Sequence, residues 1–258
     1  MEKADIKTIE DLSLNAWPSH QMQLYDGWIL RFSYFYTHRT NCVEQVGTSL
    51  LQLEEKVSYC EDIYRRWKTP CIFKITPLSL PALDYYLEGH DYEKQNITHV
   101  MCTDLPEYPG STPKRFSTIR QDEMTVRDRI PDEWIDALFS IKGNASVTHL
   151  KIVPSMYAAI PKDVRCVYIR KDGEIAATGL GILDRDYIGI YAINVRSDCR
   201  RQGYARRICE TLLKEGARAG AKRAYLQVLE GNLPAIELYQ SLGFTHQYSY
   251  WFRLKSTL

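Results

Sequence analysis

The sequence predicts a mixed α/β fold, of α+β or α/β type, built around a sheet that combines hairpins with crossovers. Two β-rich stretches, Arg165–Arg170 and Glu174–Leu183, flank Lys171-Asp172-Gly173, which is typical of a hairpin turn. A third β-rich run, Tyr187–Val195, is followed by a helical run and another strand, Ala224–Leu229, the order typical of a crossover. A chain of 258 residues is long for one core, so two lobes are expected.

The remaining elements of the C-terminal half continue this alternation of strands and helices. They are predicted as a strand at Ser117–Arg120, helices near Asp132–Phe139 and Pro154–Ala159, helices at Tyr204–Ala219 and Pro234–Leu242, and a final strand at Gln247–Leu254. A polar, proline-rich stretch, Leu105–Pro113, predicts a linker or a crossover connection. We therefore divide the chain into an N-terminal lobe, residues 1–110, and a C-terminal domain, residues 111–258.

Composition excludes several classes of protein. The formal net charge is +1, so long-range electrostatics give no reason to expect a nucleic acid as partner. No apolar run is long enough to cross a bilayer, and the N-terminus has no apolar signal core. The seven cysteines are odd in number and form no C-x-x-C pair, which argues against a disulfide scaffold or a zinc site. We expect a cytoplasmic protein with no metal and no membrane partner, whose oligomeric state the sequence leaves open.

The turn at Arg200–Ala205 predicts an anion-binding site ahead of a helix. A helix N-terminus presents backbone N–H groups without intrahelical partners and a partial positive charge, which together suit a phosphate or diphosphate. Gly203 has no Cβ and lets the backbone approach the anion closely. Arg200, Arg201 and Arg206 add charge-assisted donors. The sequence therefore predicts that a phosphorylated cofactor binds here.

Two motifs resemble the signatures of the GCN5-related N-acetyltransferases. Arg200-x-x-Gly203-x-Ala205 resembles the family's diphosphate loop, R/Q-x-x-G-x-G/A. The segment from Asn232 to Phe244 resembles N-x-x-A-x-x-L-Y-x-x-x-G-F, and it follows the loop in the family's order with a predicted strand between them. The resemblance implies the family's fold, acetyl-coenzyme A as cofactor, and transfer of the acetyl group to an amine by direct attack.

The resemblance also implies roles for individual residues. Tyr239 occupies the position of the motif's tyrosine, which approaches the cofactor sulfur, and a phenol with an ordinary pKa near 10 can act there as a general acid. The run Ile193–Val195 corresponds to a splayed strand whose backbone holds the pantetheine arm, although Asn194 stands where a small apolar residue is usual. The implied cofactor-binding residues are Ile193, Asn194, Val195, Arg200, Arg201, Gln202, Gly203, Tyr204, Ala205, Arg206 and Asn232.

The N-terminal lobe resembles a degenerate copy of the same unit. Pro81–Leu87 aligns with Pro234–Gln240 at an offset of 153 residues. The same offset places Gly203 on Leu50, so the N-terminal copy has a motif-like helix but no recognisable phosphate loop. We therefore predict that only the C-terminal half retains the cofactor site.

These observations predict an N-acetyltransferase that moves an acetyl group from acetyl-CoA to an amine of a small molecule or peptide. Two alternatives remain: an acyltransferase that uses a different acyl-CoA, and a CoA-binding sensor or scaffold without turnover. Nucleotide binding at the same loop is disfavoured, because neither G-x-G-x-x-G nor G-x-x-x-x-G-K-S/T is present. The general base is not identified. Chemistry alone allows several residues, although a solvated loop or strand-end position explains each of them better and a water chain can carry the proton instead: Glu174, Asp184, Asp186, Glu230 and His149.

Overall fold

The computed structural model describes residues 2–107, 123–143 and 146–255. Their packing defines two compact units. The first takes the described residues of Met1–Val100, Val228–Asn232 and Gln247–Leu258, and the second takes those of Met101–Gln227 and Leu233–His246. The predicted strand Ser117–Arg120 and the predicted linker beyond Glu107 lie outside the described residues, and the division of the chain at residue 110 stays a prediction.

Eleven strands and seven α-helices cover most of the described residues. In chain order they are α1 (Lys3–Ala16), β1 (Gln21–Tyr25), β2 (Trp28–Phe32), β3 (Val43–Gln45), α2 (Leu53–Arg66), β4 (Ile72–Ile75), α3 (Pro81–Glu88), β5 (Glu93–Asp104), β6 (Glu123–Arg127), α4 (Asp132–Lys142), α5 (Val147–Ala158), β7 (Asp163–Lys171), β8 (Glu174–Asp184), β9 (Tyr187–Val195), α6 (Tyr204–Arg218), β10 (Arg223–Leu229), α7 (Leu233–Ser241) and β11 (Thr245–Leu254).

The first unit is a mixed sheet with strand order β1-β2-β3-β4-β11-β5. Its hairpin β1–β2 turns at Asp26-Gly27, both of which have positive φ, as this kind of two-residue turn requires. Strand β3 pairs in parallel with β4, and α2 makes the crossover between them. The C-terminal strand β11 pairs antiparallel with β4. A core around the buried rings of Trp28, Tyr64 and Phe73 lies on one face of this sheet.

The second unit has the strand order β10-β9-β8-β7-β6, and it confirms the predicted combination of hairpins and a crossover. Asp172 and Gly173 both have positive φ in the β7–β8 turn, as predicted. Helix α6 connects β9 to its parallel neighbour β10 and packs on β8 and β9. That packing is close: a Cβ on Gly179 would lie 2.2 Å from a side-chain carbon of Ile208. The N-terminal half of α6 is thereby held against the middle of β8.

One helix differs from its predicted position. The sequence predicts a helical stretch near Pro154–Ala159. In the structure α5 begins at Val147, where the Ser146 side chain accepts a hydrogen bond from the His149 N–H, and Pro154 lies inside the helix. The predicted stretch therefore covers only the C-terminal part of a longer helix, whose start is set by the Ser146 cap.

Every cysteine of the chain is a buried free thiol. Within residues 2–107, 123–143 and 146–255, no helix has both the length and the apolar character that a membrane span requires.

A buried charge cluster connects three elements of the first unit. The Lys74 ammonium on β4 pairs with Glu10 on α1 and, at 3.2 Å, with Glu44 on β3. The Tyr248 hydroxyl donates to Glu10 at 2.6 Å. Burial alone would raise the pKa of Glu10, but the nearby ammonium outweighs it and the pKa is lowered. Burial raises the pKa of Glu44 to about 7.

We expect Lys74→Met to lower the free energy of unfolding by about 3–5 kcal/mol, because it leaves two interior carboxylates without their cation. Urea-induced unfolding measures this loss. The control is Lys7→Met, which removes an exposed pair with Asp11 and should cost less than about 1 kcal/mol. A loss no larger than that of the control would contradict the prediction.

The raised pKa of Glu44 predicts a pH dependence of stability. A carboxyl whose pKa is higher in the folded protein than its ordinary 4.5 stabilises the fold fully below pH 4.5, and this contribution disappears as pH rises through about 7. From this group alone we expect the free energy of unfolding to fall by up to about 3 kcal/mol across that interval. Glu44→Gln should remove this component, so identical pH slopes for the two proteins would rule it out.

Candidate functional site

The turn ahead of α6 is open to solvent and has an unusual backbone. Ser197–Cys199 forms a short 3₁₀ turn, and residues 200–203 that follow it are exposed. Arg201 and Gly203 both have positive φ, +62° and +83°. A Cβ added to Gly203 would meet no atom within 4 Å, so the space beside this glycine is free. The predicted anion loop is therefore accessible and not covered by neighbouring atoms.

Arg196 directly precedes this turn and stabilises it through hydrogen bonds. The sequence did not indicate this role. Its guanidinium donates two hydrogen bonds to Asp198, at 2.7 and 3.0 Å, and one to Glu174 at 2.8 Å. The Gln202 side chain donates to the Asp198 carbonyl at 3.0 Å. The spacing Arg-x-Asp was the available signal, but it is too common to single out. Glu174 is thus engaged in a structural ion pair, and Asp184 likewise pairs with Lys162.

The arginines of the turn differ in whether another side chain binds their guanidinium group. Arg200 and Arg201 have no acidic partner among the residues that the structure describes. Arg206 donates to the Ser241 hydroxyl at 2.6 Å and lies 3.8 Å from Glu210. Two cationic side chains at this turn therefore remain available to an anion.

Backbone donors accompany these cations. Gly203 is the N-cap of α6 and has no side chain to satisfy the first N–H groups of the helix. No described residue accepts a hydrogen bond from the backbone N–H of Gln202 or Gly203. Tyr204 is buried and Ala205 half-buried, so both can offer a ligand their backbone but little side-chain surface. The turn therefore offers backbone donors as well as arginine side chains.

Strand β9 changes direction where the sequence predicts a splayed strand. Its parallel pairing with β10 ends at Ile190 and Leu226, five residues before β9 itself ends. A bulge follows: Ala192 has φ +50°, and its carbonyl accepts from the Thr178 hydroxyl at 3.1 Å. Beyond the bulge Asn194 lies opposite Thr178. Ile193, Asn194 and Val195 are half-buried, and one edge of their backbone has left β10.

Two tyrosines lie where β9 and β10 begin to separate. The hydroxyls of Tyr191 on β9 and Tyr225 on β10 are hydrogen-bonded, and Gly189 lies beneath both rings. A Cβ on Gly189 would stand 2.6 Å from the Tyr191 ring and 2.8 Å from the Tyr225 ring. The absence of a side chain at Gly189 is therefore what lets the two rings meet.

We expect Gly189→Ala to push these rings apart and to lower the free energy of unfolding by about 1–3 kcal/mol. It should also weaken the binding of any ligand that pairs with residues 193–195, where β9 separates from β10. Chemical unfolding and ligand titration measure the two effects. Gly89→Ala is the matched control, because its Cβ would meet only ordinary contacts, the nearest at 3.5 Å. Equal effects of the two substitutions would contradict the role of Gly189.

Tyr239 lies on α7 with 8% of its surface exposed. Its ring packs edge-on against Phe244, with centroids 6.1 Å apart. Burial raises the pKa of the Tyr239 hydroxyl, and Cys209 on α6 adds to the rise. The hydroxyl makes no hydrogen bond to any residue that the structure describes. It is thus a neutral phenol with a proton to donate, held beside α6.

The remaining predicted residue, Asn232, belongs to the first unit, whereas Tyr239 and residues 193–206 belong to the second. Its N–H donates to the Leu229 carbonyl at 2.9 Å, and the residue is exposed. It lines a groove of about 570 Å³ together with Lys94, Asn96, Ile97, Leu229, Glu230 and Gly231.

Comparison with known proteins gives a consistent result. A family model described as "Probable histone acetyltransferase Rv0428c C-terminal" matches residues 3–252. The chain is 24% identical to the uncharacterized N-acetyltransferase YobR of Bacillus subtilis (strain 168), over 97% of this chain and 99% of that one. It is 34% identical to the ribosomal protein bS18-alanine N-acetyltransferase of Escherichia coli (strain K12) over 76 residues, 30% of this chain and 51% of that enzyme.

A solved structure supports the same fold along nearly the whole chain. The GCN5-related N-acetyltransferase from Kribbella flavida superposes with a TM-score of 0.67 at 16% identity, covering 99% of this chain and 96% of that one. The chain therefore belongs to the Rv0428c C-terminal acetyltransferase family, and it is an acyltransferase with the GCN5-related N-acetyltransferase fold.

Proposed function

We propose that the protein transfers an acetyl group from acetyl-CoA to an amine of a small molecule or peptide. One observation carries this proposal: the exposed turn with Arg201 and Gly203 in positive φ precedes α6, at the end of the strand that leaves β10. A diphosphate fits such a turn, because among the described residues the N–H groups of Gln202 and Gly203 have no acceptor and Arg200 and Arg201 have no acidic partner.

The same residues suggest how the cofactor is held. Gly203 and the first residues of α6 would bind the diphosphate through backbone N–H groups, and Arg200 and Arg201 would neutralise its charge. The free edge of residues 193–195 would pair with the amide groups of the pantetheine arm, in the way that a further strand would. Asn194 has an amide side chain and would contact either the arm or the acceptor.

Bound acetyl-CoA supplies an acetyl group activated as a thioester. An acceptor amine, after losing a proton, forms the C–N bond at the carbonyl carbon while the C–S bond breaks. Tyr239 holds a proton on a phenol whose pKa is raised by burial, and it would transfer this proton to the departing thiolate. The new amide nitrogen would give up its extra proton to water, and the Tyr239 phenolate would regain a proton from water. The hydroxyl is free for this task, because no described residue engages it.

The acceptor class follows from chemistry and from the relatives. The enzyme from Escherichia coli acts on an alanine of a ribosomal protein, by its name, and the family description names histone. Both acceptors are amines of polypeptides. The acceptors to test are therefore amines of peptides and of small molecules. We also propose that the protein is cytoplasmic.

The direct test incubates the purified protein with radiolabelled acetyl-CoA and a library of peptide and small-molecule amines. We expect label to move to at least one amine. Binding of CoA without turnover on any acceptor would favour a sensor or scaffold, and turnover only with longer acyl-CoA would change the donor. Absence of CoA binding would remove the proposal altogether.

A further inference from the structure

The first unit contains a second strand–loop–helix–strand crossover of the same kind as the one that carries the candidate site. Strands β3 and β4 pair in parallel through Val43–Phe73 and Glu44–Lys74, with α2 between them. Strands β9 and β10 pair in parallel with α6 between them. The loop ahead of α2 is therefore the topological counterpart of the turn ahead of α6, and the 153-residue offset places Gly203 on Leu50 within it.

This loop already has a carboxylate bound to it. The Asp26 side chain accepts hydrogen bonds from the backbone N–H of Leu50, at 2.9 and 3.0 Å, and of Leu51 at 3.0 Å. These two residues directly precede Gln52, the N-cap of α2. The N–H groups that an external anion would use are therefore engaged by the chain itself. Their hydrogen bonds, that of Leu51 first, hold the pKa of Asp26 below its ordinary value.

A buried lysine completes the arrangement. The Lys56 ammonium lies 3.2 Å from Asp26 Oδ2, donates to the Asp26 carbonyl at 2.5 Å and to the Ser49 hydroxyl, and stands 4.0 Å from the centre of the Trp28 ring. Its side chain is 1% exposed. The set of groups around the carboxylate, two backbone donors ahead of a helix and one ammonium, is that of an anion site.

Backbone contacts fix the β1–β2 turn beside the segment that leads to α2, and they thereby hold Asp26 next to the loop. Asp26 and Gly27 form the β1–β2 turn, and the Gly27 carbonyl accepts from the N–H groups of Val46 and Gly47. A Cβ on Gly27 would stand 2.1 Å from the Thr48 carbonyl oxygen, so only glycine permits this approach. In the second unit the turn is built differently, since Asp198 is held by Arg196 and the N–H groups of Gln202 and Gly203 have no acceptor among the described residues.

We propose that the Asp26 carboxylate is an internal anion that occupies the loop ahead of α2, and that the chain therefore binds a single CoA, at the turn ahead of α6. The second clause rests on the proposed function; the first stands without it. The Asp26 carboxylate explains how the first unit, whose crossover has the same topology, keeps a stable N-terminus of α2 without a bound cofactor.

To test whether Asp26 is an internal anion, its carboxylate is removed and phosphate is supplied in its place. Asp26→Ala should lower the melting temperature, and sodium phosphate titrated at constant ionic strength should recover most of the loss. Phosphate at the turn ahead of α6 should raise the melting temperature of all three proteins alike, so the expected result is a larger response in Asp26→Ala than in the wild-type protein or Glu61→Ala. Among the described residues Glu61 accepts a hydrogen bond only from the Tyr92 hydroxyl, so its removal leaves no set of donors behind. Equal phosphate responses of all three proteins would overturn the proposal.

A second variant covers the possibility that Asp26→Ala does not fold. Asp26→Asn keeps an accepting oxygen and removes the charge. In the wild-type protein the amide protons of Leu50 and Leu51 should shift together in an acid titration followed by NMR, with an apparent pKa below the ordinary aspartate value. In Asp26→Asn this shift should vanish. The same titration in both proteins would show that another group is responsible and would refute the assignment.

Calorimetry with CoA tests the second clause. We expect one equivalent per chain, and a count of two would refute it. A count of zero would refute the proposed function, while the phosphate response would still decide the role of Asp26.

Discussion

Tyr239→Phe should reduce turnover of acetyl-CoA by about 10²- to 10⁴-fold while leaving CoA affinity close to that of the wild-type protein. The substitution removes one hydroxyl and keeps the ring that packs on Phe244. The effect should therefore lie in kcat, since the lost proton donor acts when the C–S bond breaks. Steady-state kinetics with a responsive amine, together with calorimetry for CoA, separates the two quantities.

The fold should be unaffected by this change. The Tyr239 hydroxyl has no hydrogen-bond partner among the described residues, so its removal should alter the free energy of unfolding by no more than about 0.5 kcal/mol. Tyr157→Phe is the matched control: Tyr157 is likewise 8% exposed in the second unit and packs edge-on against Trp134. Equal losses of kcat in the two variants would remove Tyr239 from the chemistry.

The raised pKa of Tyr239 adds an expectation about pH. Burial keeps the phenol protonated beyond its ordinary range, so its ionisation should not lower kcat as the pH rises from neutral to mildly alkaline values. A fall of kcat in that interval that disappears in Tyr239→Phe would contradict this protonation state.

Gly203→Glu should weaken CoA binding by at least about 100-fold, since repulsion between like charges in contact costs several kcal/mol and each tenfold change in affinity corresponds to about 1.4 kcal/mol. The new carboxylate would stand at the mouth of the turn, in the space that is now free of atoms. It would compete with the diphosphate for Arg200, Arg201 and the backbone donors. Calorimetric titration with CoA measures the change.

Backbone strain has to be separated from charge in this experiment. Gly203 has φ +83°, where any side chain costs about 1–2 kcal/mol. Gly220, at the other end of α6, has φ +88° and equally free space for a Cβ. Gly220→Glu therefore introduces the same strain and the same charge away from the turn, and CoA affinity should be unchanged in it. Unaltered affinity in Gly203→Glu would refute the loop assignment.

Local features of the site were predictable from the sequence. The bounds of β9, Tyr187–Val195, agree with the prediction, because a run rich in β-branched and aromatic residues between two turns favours a strand. The hairpin at Asp172-Gly173 and the positive φ of Gly203 follow from residue preferences that act within a few positions.

Features that depend on distant contacts were not predictable. Ala192 has positive φ, which its residue type does not suggest; the bulge arises because three residues of β9 span the distance of two on β8. The Lys74–Glu10 pair joins residues 64 positions apart, and Asp26 reaches a loop 24 positions away. No local pattern marks such partners, because either one alone looks like an ordinary surface charge.

By itself the sequence determined the family motifs, the basic glycine turn and the order of strands and helices from Arg165 to Leu254, since these depend on neighbouring residues and their backbone preferences. The tertiary structure alone decided that the turn ahead of α6 is left open and that the equivalent loop ahead of α2 is filled by Asp26. The physical reason is that the availability of a backbone N–H is set by whatever the fold places opposite it, and that group comes from a remote part of the chain.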